Sequence, residues 1–135
     1  MSPRLLSLLR VVAALLFLAH GTHKLFGFPG DAPPVTLLSL AGLAGVIETI
    51  SGALLAVGVF TRPVACVAAV DAAVTFVIIE LHQPGWPVLD HAELALLYAS
   101  LFLYMASAGP GAWSLDARRA RPTDDMRTTG ARRLK

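Results

Sequence analysis

The chain of 135 residues is 56% hydrophobic and only 15% charged, with a mean hydropathy of +0.67, which excludes a disordered protein and an ordinary soluble domain. At roughly 20 apolar residues per crossing, the length has room for about four spanning helices and no large catalytic domain outside the lipid. The formal charge of +2 is a tail effect: residues 116–135 carry seven basic and three acidic side chains, hence +4, leaving −2 for residues 1–115 and no basic face for a nucleic acid.

The first apolar segment runs from about Leu5 to Phe28. Arg4 before it gives it the look of a secretory leader, but no small-residue cleavage site follows, and the segment continues into His20, Gly21, Thr22, His23 and Lys24. It is therefore read as retained. Pro29, Gly30, Asp31, Pro33 and Pro34 form a loop that cannot continue a helix. The second segment spans about Val35 to Phe60, where Ala41, Gly45, Gly52 and Ala56 form a small-residue stripe that lets a neighbouring backbone approach. Thr61, Arg62 and Pro63 reverse the chain into a third segment, about Val64 to Leu81, which carries Cys66 as a small packing residue. A single cysteine makes no internal disulfide and no dithiol centre. Gln83, Pro84, Gly85, Trp86 and Pro87 break the chain again, and a fourth segment runs from about His91 to Ala108, where Gly109, Pro110 and Gly111 stop it.

The expected architecture is all-α: a four-transmembrane-helix bundle over residues 1–110 and a polar, Arg-rich tail over 111–135, expected to be mobile. Arg4, Arg62 and the tail cations fall at one end of four spans, against no Lys or Arg in the loops around Asp31 and Trp86. Both termini are therefore expected on the cytoplasmic side, with the tail touching anionic lipid. Trp86 and Trp113 then read as belt anchors at the outer and inner surfaces, and Arg10 is expected to snorkel to the inner headgroups.

An ionised group at the bilayer centre costs roughly 2.5–3.5 kcal/mol on insertion scales, so a small membrane protein carries several only where they pair or act. Glu48 falls at the midpoint of the second segment, Asp71 well inside the third and His20 inside the first. His23 and Lys24 lie nearer the outer end, where Glu80 and His82 close the third segment and Asp90, His91 and Glu93 open the fourth. Residues three and four apart share a helix face, so His20, His23 and Lys24 are expected to project together. Side chains tilt toward their helix's N-terminus, which points Lys24 into the layer and Glu48, on the oppositely running helix, up toward it. The leading pair is Lys24 with Glu48, direct or through His20. On the third helix Asp71, Thr75 and His82 share a face, whereas Glu80 points the other way.

Each residue also has a plainer reading. Lys24 snorkels outward; Asp90 and Glu93 form a capping box; His82 and His91 are interfacial. Glu48 with His20 is a polar pair that fixes helix register, and Asp71 is a protonated acid bonded to a carbonyl.

Taken together, His20-Gly21-x-x-Lys24, Glu48 followed by Gly52 and by Gly58-Val59-Phe60-Thr61-Arg62, His82, Glu93, and Gly109-Pro110-Gly111-Ala112-Trp113-Ser114-Leu115-Asp116 resemble the DoxX family of bacterial membrane proteins. The resemblance covers residues 4–117. It implies a four-helix protein of the cytoplasmic membrane, in a family named for a small subunit of a quinol-linked oxidase or thiosulfate:quinone oxidoreductase, with some members associated with redox-stress complexes. It supports the fold far more firmly than any reaction.

Two functions are compatible with these residues. In the first, the chain is a small subunit of a quinone-linked membrane oxidoreductase. A quinone head needs hydrogen-bond donors for its carbonyls and a proton-exchanging group beside them, at a depth its tail reaches from lipid. His20, Lys24 and Glu48 are the candidate catalytic residues, with His23, Asp71, His82, His91 and Glu93 as candidates for quinone binding or for the surrounding polar cluster. There is no nucleotide-binding glycine motif and no iron–sulfur cysteine cluster, so the electrons require a soluble or membrane redox partner subunit. Haem would need two facing histidines at equal depth, such as His20 with His82 or His91, and a metal lacks a supporting Glu-x-x-His pair; neither is favoured. In the second, the same cluster locks a non-catalytic scaffold, partner-binding protein or small-molecule carrier. A homo-oligomer is compatible with either.

Overall fold

The computed structural model describes residues 2–31, 33–82 and 92–120. Among them all regular structure is helical: α1 (Pro3–Phe26), α2 (Leu40–Val57), α3 (Thr61–His82), α4 (Ala92–Ala108) and a short α5 (Leu115–Arg119). Three of these, α1 to α3, are long and apolar enough to cross a membrane, and α4 is a shorter apolar helix of 17 residues. At 1.5 Å per residue the three long helices run roughly 27–36 Å, which matches a hydrocarbon core of about 30 Å.

Local chemistry sets the helix ends, and it shifts them from the apolar boundaries. α2 starts at Leu40 rather than Val35 because the Ser39 hydroxyl accepts from the Gly42 backbone N–H at 3.1 Å and caps it. It ends at Gly58, whose φ of +77° is a left-handed conformation that glycine adopts without a Cβ penalty. α3 starts at Thr61, three residues before the apolar run, with Pro63 tolerated in its first turn. Its cap comes from far along the chain. The Asp116 carboxylate accepts from the Phe60 N–H at 3.1 Å, the Thr61 N–H at 2.9 Å and the Thr61 hydroxyl at 3.0 Å. Partial burial pushes the Asp116 carboxyl up, but these bonds and the charge of Arg119 outweigh it and hold the group below its ordinary value.

The helices pack antiparallel in sequence order. Gly52 of α2 lies against Ala14 and Leu18 of α1, and Gly45 against Lys24 and Leu25, so the two chains run past one another in opposite directions. The close approach also uses Gly21 of α1, set against Thr49 and Gly45. Of the expected small-residue stripe, Gly45 and Gly52 are buried, whereas Ala41 is exposed and Ala56 half-buried. The remaining contact surface belongs to alanines of α3 (Ala65, Ala68, Ala69, Ala72), which meet larger side chains of α4. Phe17, Tyr98 and Phe102 join α1 to α4, with ring centroids 4.8–5.7 Å apart. Cys66 is exposed on α3 rather than packed inside.

One expectation is overturned at the end of the bundle that carries the N-terminus. Arg10 does not snorkel: it is 1% exposed. Its guanidinium donates to the carbonyls of Pro110 and Trp113, the second at 2.9 Å. Two protein carbonyls thus take the place of headgroups and water, and Gly58 leaves room, since a Cβ there would lie 2.6 Å from Arg10 Nη1. The Ser7 hydroxyl accepts from the Trp113 N–H at 3.0 Å, and the Asp116 N–H donates to the Gly58 carbonyl at 3.1 Å. The stretch 109–119, whose greater part composition assigns to a mobile tail, is therefore docked across α1 and the α2–α3 turn. Trp113 is 60% exposed although its backbone is held.

Candidate functional site

The site is built at the opposite half of α1. Positions 20 and 24 are one turn apart on α1 and face α4 and α2, while position 48 of α2 sits beside the Gly45–Lys24 contact. Lys24 Nζ donates to Glu48 Oε1 at 2.6 Å, with the two side chains 25% and 5% exposed. The absence of side chains at Gly21 and Gly45 brings the backbones close enough for this contact. Short, charge-assisted and largely removed from solvent, the bond is of the strong class. The second carboxylate oxygen, Glu48 Oε2, is buried with no hydrogen-bond partner.

These residues wall a cavity of about 210 Å³ lined by Phe17, His20, Lys24, Glu48, Ala72, Thr75, Ile79, Leu94, Ala95 and Tyr98. His20 stands edge-on to Tyr98, ring centroids 5.7 Å apart, with Nδ1 3.1 Å from the Leu16 carbonyl of its own helix. A second hollow, a groove of about 410 Å³ between α2 and α3, is lined mainly by Leu40, Leu43, Ile47, Val70, Val74 and Ile78, with Asp71 in its wall. Asp71 is half-buried, and its Oδ2 is buried without a partner. Thr75, one turn on from Asp71, lines both cavity and groove.

The structure therefore lines one cavity with His20, itself exposed, Lys24 and Glu48, and puts Asp71 in the wall of the adjoining groove. His23 is not among them: that side chain is exposed and lines neither hollow. At 3.6 residues per turn, positions 23 and 24 differ by about 100° around the helix, and the turn of α1 puts position 24, not 23, on the cavity. His82 is exposed, its Nδ1 2.8 Å from the Ile78 carbonyl, and it stands outside the cavity. Glu93 is exposed in the first turn of α4 and also lines neither hollow. His91, together with Asp90 of the expected capping box, Trp86 and the Glu80 side chain, lies outside the described residues. Among the described residues no three His, Cys, Asp or Glu side chains converge to hold a metal ion. Two cavity residues escape a reading by charge, Tyr98 and Thr75; the signal for Tyr98 was its place in the row Ala95, Tyr98, Phe102, Met105, which is the buried face of α4.

A cavity of this kind offers an ammonium, an imidazole and a phenol as donors, a carboxylate as proton acceptor, and apolar walls.

Residues 5–81 match the DoxX family model. The chain is 38% identical over 127 residues to an uncharacterized protein of Haemophilus influenzae, covering 84% of this chain and 90% of that one. It is 31% identical over 130 residues to the uncharacterized membrane protein Rv3486 of Mycobacterium tuberculosis, covering 82% and 78%. It is 31% identical over 139 residues to the inner membrane protein YphA of Escherichia coli, covering 86% and 91%. No solved structure matches the chain.

Proposed function

As the chain belongs to the DoxX family and is a multi-pass protein of the bacterial cytoplasmic membrane, we propose that it is the lipid-embedded subunit of a quinone-linked oxidoreductase, with the cavity between α1, α3 and α4 receiving the quinone head. The observation that carries this reading is Glu48: 5% exposed, tied to Lys24 through one oxygen, with its second oxygen buried and without a partner, beside a cavity that His20, Thr75 and Tyr98 also line. Reducing a quinone to a quinol takes two electrons and two protons. On this reading the electrons come from a redox partner subunit, and this chain supplies the protons and the hold. Lys24, His20 and the Tyr98 hydroxyl are donors for the ring oxygens, and Glu48 exchanges protons with them. Phe17, Ile79 and Leu94 give the ring an apolar bed. Four spans with both termini in the cytoplasm complete the reading. It is supported by Arg4, Arg62, Arg118 and Arg119 gathering at the bundle end where residues 109–119 dock.

Binding tests it directly. Protein purified in mild detergent should carry quinone in its extracted lipids, and a short-tailed quinone should bind with an affinity that Glu48→Gln and His20→Ala each weaken at least tenfold. Absence of quinone binding by well-folded wild-type protein overturns the reading. A second reading, a non-catalytic scaffold or carrier, draws on the position of the Lys24–Glu48 bond beside the tightest α1–α2 contact. Its signature is that the same two variants fail to accumulate in the membrane while the wild type binds no quinone.

A further inference from the structure

Three charged groups lie near one another where α1, α2 and α3 come together, and their formal charges do not cancel. Lys24 is bonded to Glu48 through Oε1 alone. Asp71 of α3 shares the wall of the groove with Ile47, the neighbour of Glu48 on α2, and Thr75, one turn on from Asp71, lines the cavity with Lys24 and Glu48. Glu48 Oε2 and Asp71 Oδ2 are both buried and both lack a hydrogen-bond partner. The other titratable groups facing this seam are His20 from α1, which is engaged with its own helix and with the ring of Tyr98, Tyr98 itself from α4, and Cys66 of α3 in the wall of the groove. None is a fixed cation.

Two ionised carboxylates against one ammonium would leave a net negative charge where the low dielectric disfavours it. An ionised carboxylate is also an acceptor only, so a second carboxylate cannot satisfy its free oxygen; a carboxylic acid can, because it carries a donor. We propose that Glu48 and Asp71 hold one exchangeable proton between them, making the α2–α3 seam a proton-binding site with Lys24 as its fixed counter-charge. Glu48 lines the cavity and Asp71 the groove, and Thr75 lies in the wall of both, so the two carboxyls border the same seam from its two sides. This goes beyond the quinone reading, since the proton is held whether or not a quinone fills the cavity.

Infrared spectroscopy of the full-length protein in lipid nanodiscs, at neutral pH and with no quinone added, reads the proton directly. The wild type should show the C=O stretch of one protonated carboxyl per chain, shifting in deuterium oxide. Asp71→Asn and Glu48→Gln should each abolish it, because the carboxylate that remains pairs alone with Lys24. Lys24→Gln should double it, since two carboxyls then need two protons. Three results overturn the proposal: no protonated carboxyl in the wild type, a band that survives Glu48→Gln at full strength while Asp71→Asn removes it, or a band that Lys24→Gln leaves at one. Should either carboxyl variant fail to accumulate, the wild-type count and Lys24→Gln decide the matter. Failure to bind quinone leaves the band untouched, so the two readings fail separately.

Discussion

Gly21 faces α2 with no side chain between the two backbones, and Gly21→Ala tests whether that contact is real. A Cβ at this position would lie 2.5 Å from the Thr49 backbone nitrogen and 2.7 Å from the Gly45 carbonyl oxygen, and it would also collide with Thr49 Oγ1. Ordinary contact begins at 3.4 Å, so the helices must part by about 0.9 Å; two of the three obstructing atoms are backbone and cannot rotate away. In an exposed helix interior the same change gains roughly 0.5–1 kcal/mol from propensity. Here overpacking costs about 1–3 kcal/mol, and the movement stretches the adjacent Lys24–Glu48 bond from 2.6 Å to beyond direct hydrogen-bond range. Adding part of the roughly 3–5 kcal/mol that breaking a buried pair costs, the net loss should be about 2–4 kcal/mol. Reversible unfolding in mixed micelles, followed by circular dichroism, measures it. Ala53→Gly, at an exposed position of α2, calibrates the propensity change and should cost about 1 kcal/mol. If Gly21→Ala is as stable as the wild type or more so, the close α1–α2 approach and the pair built on it are refuted.

Two further outcomes concern the docked segment at the other end. Arg10→Met removes a buried charged donor and orphans the carbonyls of Pro110 and Trp113; at about 1.5–3 kcal/mol per bond to a charged group it should cost roughly 3 kcal/mol or more. It should also speed tryptic cleavage at Arg118 and Arg119, and cleavage as slow as in the wild type counts against the latch. Asp116→Ala removes the cap of α3 and should cost about 1 kcal/mol at neutral pH. Because the folded protein holds the Asp116 carboxyl below its ordinary value, its contribution is present above the unfolded-state pKa and is lost as pH falls through the folded one. Acid titration of stability should therefore be shallower in Asp116→Asn than in the wild type; parallel curves would show that the carboxylate does no work there.

Much of the architecture was legible in the residues one at a time. Four apolar runs separated by Pro- and Gly-rich breaks required helices in lipid, because runs of about 20 apolar residues suit a helical span, which satisfies its own backbone polar groups, and exceed a barrel strand. The pairing of Lys24 with Glu48 was legible too, from the opposite tilt of side chains on antiparallel helices. His23 shows the limit of that logic: spacing of three or four defines a broad face, and only the angle at which α2 and α4 meet α1 decides which part of it is enclosed. Thr75 and Tyr98 carry no charge to mark them, so their role waits on knowing what stands opposite.

By itself, then, the sequence determined a lipid-embedded helical protein, the order of its segments, and the need of its acids and bases for partners, since those follow from transfer energies that are properties of each residue. The partnerships across the chain belong to the tertiary structure. Arg10 reaching Pro110 and Trp113, Asp116 capping α3, and His20 standing edge-on to Tyr98 all join residues far apart in sequence. Which of them meet depends on crossing angles and close approaches at a few glycines, and no local pattern encodes those.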